Sequence, residues 1–238
     1  CIHAARRDRD RRHRAMGILA AAAYVGAFAL QALMVFAGNS RFFGLLDQGS
    51  GWRTNVEMSV LYTSFVTPAG WAFAIWGVIY TWELVTVSAL AASELGMAVP
   101  IGGEPGYVLG LWISMNFCQS LWSVLFATER LFASGLALSG IAASLILLGV
   151  ETTAGASLGG YFAVCAVCPC GSNPRRAISP RLFCARVTPS NPTPAQPVWL
   201  HAGWTTAAAL VNVNLALVDR SASPALQLAA AFGTCYAA

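Results

Sequence analysis

Lysine is missing altogether from the 238 residues, and charge of either sign is scarce: 10% of the chain is charged, against 57% hydrophobic, with a mean hydropathy of +0.61. An average soluble domain is about one-quarter charged, so a soluble globular fold is set aside first. With no Lys every cation is Arg, which reads as compositional bias of the coding sequence and not as a binding signature. Nor does the formal charge of +4 point to nucleic acid, because six of the fourteen Arg fall in the first fourteen residues and four more between 175 and 186. Catalytic vocabulary is equally thin. Only one of the three His, His201, lies in a long apolar run, and H-E-x-x-H, G-x-S-x-G, P-loop patterns and paired catalytic carboxylates are all absent. An enzyme is therefore the weaker expectation. Seven Cys, an odd number scattered over apolar runs and one loop, supply no disulfide framework.

What the chain does have is long apolar runs. Crossing hydrocarbon takes roughly 20 apolar residues; segments 16–37, 69–92, 107–127, 131–150 and 197–218 qualify, and 224–238 starts a sixth that the sequence cuts short. In lipid only helices and closed barrels satisfy the backbone, and runs of this length predict an all-α, polytopic transmembrane bundle. Residues 1–15, C-I-H-A-A-R-R-D-R-D-R-R-H-R-A, form a basic tail, either cytoplasmic by the positive-inside rule or foreign to the mature protein. Residues 16–167 hold four helices and the approach to a fifth, and 197–238 hold the fifth and a partial sixth. Trp52 and Tyr62, in the long first connection, are expected to anchor at the membrane interface.

Segment 168–196 breaks the pattern. It carries six Pro and four Arg with no apolar periodicity, the composition of a disordered insert. Cys165, Cys168, Cys170 and Cys184 fit no common zinc-finger spacing, so no metal site is assigned. A disordered insert is the expectation; deleting the segment would join Y-F-A-V-C-A-V directly to P-V-W-L-H-A-G-W, which raises retained intronic sequence as an alternative.

Ionisable and amide side chains inside lipid are costly and by default mark function. At about 100° per residue, Phe73, Trp76, Tyr80 and Glu83 share one side of the second helix. Trp112, Asn116, Gln119 and Ser123 share a side of the third, and His201, Trp204, Ala208 and Asn212 form a stripe on the fifth. If these faces converge they build a π-walled pocket for a flat apolar ligand. The alternative is interhelical glue by Asn and Gln, with Glu83 paired to His201 or to water. Trp71, beside Pro68, is expected at the interface.

T-P-A-G-W-A-F-A-I-W-G-V-I-Y, residues 67–80, resembles the second-helix signature of the tryptophan-rich membrane proteins related to the TspO/MBR, or translocator-protein, family. W-T-T-A-A-A-L-V-N, 204–212, is similar to the family's fifth-helix pattern. N-F-C-Q-S-L-W-S-V-L-F, 116–126, resembles the third-helix signature, and Asn39 sits where related sequences often carry Asn. Two departures stand out: Phe73 to Trp76 is one residue shorter than in true TspO proteins, and Pro197 lies farther ahead of Trp204. The resemblance implies a TspO-like five-helix core with a truncated sixth span. It also implies that the chain binds, senses or transports a tetrapyrrole (porphyrin or haem type) or a sterol, with Trp76, Tyr80, Trp204 and Asn212 matching family positions. An enzyme modifying a bound tetrapyrrole and a structural multi-pass subunit stay open as alternatives. Partners implied are the lipid bilayer, one small hydrophobic ligand and, as a further option, a second copy of the chain. For the insert, transcript sequencing tests the intronic alternative: reads joining codon 167 to codon 197 would support it, and transcripts that all contain 168–196 would overturn it.

Overall fold

A computed structural model describes residues 2–46, 48–98, 102–152 and 195–237. Residues 168–194 of the insert, the four clustered Cys and the approach to the fifth span lie outside those residues. Seven α-helices longer than four residues are described: α1 (Ile2–Asn39), α2 (Asn55–Leu61), α3 (Ile75–Glu94), α4 (Pro105–Ala127), α5 (Leu131–Thr152), α6 (Ala195–Asp219) and α7 (Pro224–Ala237). No strand occurs among the described residues. α1 runs through the Arg-rich start without a break for 38 residues.

After α1 the chain reverses through Arg41, Phe42 and Phe43, all with positive φ. Left-handed backbone costs an L-residue roughly 1–2 kcal/mol, and the ion pair between Arg41 and Glu57 braces the turn. Short α2 follows, opened by a capping box in which Thr54 and Glu57 exchange side-chain and backbone hydrogen bonds. It lies across the end of α4, where the Arg53 N–H donates to the Ala127 carbonyl at 2.9 Å, and Met58 is fully buried beneath it. Trp52 donates its indole N–H to the Gly38 carbonyl at 2.8 Å, and the Tyr62 hydroxyl donates to Glu129 at 2.8 Å. The polar tips of both expected anchors are thus engaged by protein.

The long helices close into a ring. α1 packs on α3 and α4, α4 on α5, α5 on α6, and α6 on α3, while α7 leans on α6 from outside. Apolar side chains such as Leu84, Val85, Leu136 and Leu147 face outward, whereas Gln31, Glu83, Asn116, Gln119, His201 and Asn212 are buried. This inversion of the soluble pattern suits a hydrocarbon surround, which offers polar groups nothing to bond.

Four helices are long and apolar enough to cross a membrane: Arg7–Asn39, Gly70–Glu94, Pro105–Ala127 and Leu131–Thr152. The expected fifth span, α6, has 25 residues but falls outside this group because His201, Thr205, Thr206, Asn212 and Asn214 dilute its apolar content. Its polar side chains turn inward: Asn212 donates to Ser134 Oγ on α5 at 2.9 Å, and Asn214 donates to Thr234 Oγ1 on α7 at 2.8 Å. The second span also starts later than its sequence implies. Pro68 precedes the helix, Ala69 caps a 3₁₀ turn Gly70–Ala74, and α-helical winding begins only at Ile75.

Close approach of α5 and α6 requires Gly149, where an added Cβ would sit 2.6 Å from two ring carbons of Trp199. Overpacking of this kind costs typically 1–3 kcal/mol. Gly149→Ala is expected to lower the thermal midpoint by circular dichroism in detergent. Gly110→Ala, on open space, should be neutral or stabilising by up to about 1 kcal/mol through helix propensity.

Candidate functional site

α3 enters the ring through its 3₁₀ turn and first α-turn, and these carry Phe73 and Trp76. The indole of Trp76 stacks on Tyr80 (centroids 5.6 Å, 21° between planes) and on Trp122 of α4 (5.7 Å, 27°). It meets the rings of His201 and Trp204 of α6 edge to face, at 5.8 and 6.2 Å. Trp122 stacks in turn on Phe126 at 5.5 Å, and Tyr80 leans on Phe36 of α1 at 5.6 Å. These are the offset-stacked and T-shaped arrangements that the aromatic quadrupole prefers.

On one side of this ladder lies a cavity of about 640 Å³, counting the part open to the outside. Phe73, Trp76, Trp122, Phe126, Trp204 and Asn212 give it its aromatic and polar character. Small residues Ala207 and Ala208 keep its α6 wall low, and Leu138, Val211 and Leu215 complete the apolar lining. Nε1 of Trp122, Nε1 of Trp204 and Oδ1 of Asn212, on residues that line the cavity, are buried without a hydrogen-bond partner among the described residues. The lining is thus apolar and aromatic with few polar groups beside it, the makeup of a small-molecule site.

Behind Trp76, away from the cavity, His201 Nδ1 lies 2.9 Å from Glu83 Oε1. The contact has the distance of an ion pair without the alignment of a hydrogen bond, since neither atom meets hydrogen-bond geometry. The hydroxyl of Tyr80 faces the side chains of Gln31 and Gln119, again short of hydrogen-bond geometry.

The ten residues singled out from sequence thus separate into three places. Phe73, Trp76, Trp204 and Asn212 line the cavity; Tyr80, Glu83, Gln119 and His201 lie behind it. Trp112 and Asn116 reach neither. Trp112 donates to the Tyr24 carbonyl at 3.0 Å and packs edge-on against the Tyr24 ring, joining α4 to α1. Asn116 donates to the Trp112 carbonyl of its own helix at 2.8 Å. Sequence reasoning passed over Trp122 and Phe126, whose signal was present: they follow Gln119 at +3 and +7, the same helical face. It also gave no role to Gln31, an amide alone in an apolar span.

A polar strap closes the rim. Ser59, Thr67 and Pro68 from the connection after α1 reach the cavity, and the strap is held by Glu129, which accepts from Arg53 Nε and the Tyr62 hydroxyl. The hydrogen bond from Arg53, then that from Tyr62, holds the Glu129 carboxyl below its usual range. Burial, then the bond to Glu129, pushes the Tyr62 hydroxyl up to about 12.

Apolar helices closed into a ring around an aromatic cavity define an integral membrane protein of the ligand-binding or transport kind. The TSPO-like protein family matches residues 18–235, and the chain belongs to that family. No curated protein and no solved structure matches it.

A carboxylate whose folded pKa is depressed contributes stability above its unfolded pKa of about 4.3 and loses it as pH falls through the folded value. Hydrogen exchange across residues 53–62 in detergent is therefore expected to quicken as pH drops below about 4, after correction for the intrinsic exchange rate. In Glu129→Gln it should be fast already at neutral pH and should change less on acidification.

Proposed function

We propose that this protein binds a flat, largely apolar molecule in the cavity beside Trp76 and senses or transports it within the membrane. The observation that carries the reading is the stacked ladder of Trp76, Trp122 and Phe126, which lines one cavity together with Trp204 and Asn212. Aromatic walls reward a planar π-system. A tetrapyrrole suits such walls better than a sterol, whose saturated rings gain nothing from stacking. Family membership supports a ligand-binding or transport role and leaves the ligand to this chemistry.

Protoporphyrin IX titrated into detergent-solubilised protein should show a saturable Soret shift. Trp76→Ala and Trp204→Ala should each raise Kd roughly tenfold, equivalent to about 1.4 kcal/mol of lost stacking and burial. Trp71→Ala, on an exposed ring away from the cavity, should leave Kd unchanged. Cholesterol that fails to compete would support the tetrapyrrole class, and Kd unchanged in both Trp76→Ala and Trp204→Ala would overturn the site.

A further inference from the structure

The groups behind Trp76 do not behave as interhelical glue. Glue matches one donor to one acceptor, as Asn212 does with Ser134 and Asn214 with Thr234. Here five polar side chains from four helices meet: Gln31 of α1, Tyr80 and Glu83 of α3, Gln119 of α4 and His201 of α6. Gln31, Gln119 and His201 have no exposure, and Glu83 and Tyr80 have 4% and 8%. Both amides, both Glu83 oxygens, both His201 nitrogens and the Tyr80 hydroxyl lack hydrogen-bond partners among the described residues. Gln31 and Gln119 each lie eight residues, about 12 Å of helix rise, from the ends of their helices at Asn39 and Ala127. That depth is well inside hydrocarbon about 30 Å thick.

One acid and one base at 2.9 Å, next to a Tyr80 hydroxyl that faces two neutral amides, form a set suited to handling a proton. The carboxylate is single, so the set is a poor cation cage. Of the elements packed on α3, α1 contributes Gln31 and α6 contributes His201; the nearest charged residue of α1, Arg14, is 17 residues or about 25 Å along the helix from Gln31. The nearest titratable groups on α3 itself are Tyr80 and Glu83. Trp76 joins the two compartments, with its ring against the cavity and its neighbour His201 against Glu83.

We propose that Glu83 and His201 form a proton-binding site linked through Trp76 to ligand occupancy, so that ligand binding is proton-coupled; this rests on the ligand-binding reading above. With one proton between them the pair has zero net charge, the form that low dielectric penalises least. A ligand seated on Trp76 dries the wall beside the pair and favours that form. With the site empty, movement of Trp76 that admits water lets the buried pair take one further proton from the aqueous phase or give one up to it. No covalent bond other than N–H or O–H changes, and no electron moves. Buried acid and base side chains act as proton relays in many transporters.

Zinc octaethylporphyrin, a flat macrocycle with no carboxylate, is the probe. Binding to the whole chain in weakly buffered detergent, with a pH-indicator dye, should release or take up protons at one or more points between about pH 5.5 and 8. The measured Kd should accordingly shift at least about threefold across that range, one linked proton allowing up to tenfold per pH unit. Glu83→Gln and His201→Gln should each abolish the proton count and flatten the pH dependence. Saturable binding by the wild-type protein with no proton exchanged at any pH overturns the coupling and leaves the ligand site standing. Proton exchange that persists in both variants also overturns it, by placing the proton elsewhere. If neither zinc octaethylporphyrin nor protoporphyrin IX binds, the ligand-binding reading fails and takes the coupling with it.

Discussion

Tyr80, Trp122, His201 and Trp204 all pack on the indole of Trp76, and the internal organisation of the bundle follows from that convergence. The indole stands where side chains of α3, α4 and α6 meet. A Trp there divides the interior. Apolar and aromatic surface collects on one side, while the acid, the imidazole and the amides collect on the other, close enough to communicate through a single ring.

Seating α6 is what lets the division exist. This helix brings two of the rings packed on Trp76, yet it has no membrane-length stretch as apolar as those of α1, α3, α4 and α5 and would be costly to expose to lipid. Its seat is specific: Gly149 admits the ring of Trp199, Ser134 accepts from Asn212, and Thr234 accepts from Asn214. Polarity that weakens α6 as an isolated membrane segment helps fix its rotation, with His201, Thr205 and Asn212 buried against the bundle and Asn214 bonded to α7.

Much of this was readable from residues alone. Long apolar runs force helices in lipid, and the 100° advance per residue placed Phe73, Trp76, Tyr80 and Glu83 on one side of α3. The family signature at 67–80 is borne out by the match over 18–235. Spacing could not tell which inward-facing residue meets which neighbour. Trp112 and Trp122 are both Trp on buried faces of α4, but the helix spans from the α1 interface to the cavity, so the first packs on Tyr24 and the second on Trp76. The strap was illegible for another reason: Arg53, Tyr62 and Glu129 are far apart in sequence, and nothing local pairs them. Glu129-Arg130 read only as a short connection between spans.

The 3₁₀ turn at Gly70–Ala74 bears on how Phe73 and Trp76 come to line the same cavity. A helix converts residue number into angle. At α-helical pitch three residues advance about 300°, which leaves side chains at i and i+3 about 60° apart. In 3₁₀ winding three residues complete one turn and side chains at i and i+3 eclipse. Tightening the chain just before Ile75 therefore brings Phe73 closer to the direction of Trp76, so that local torsion helps set the shape of the wall.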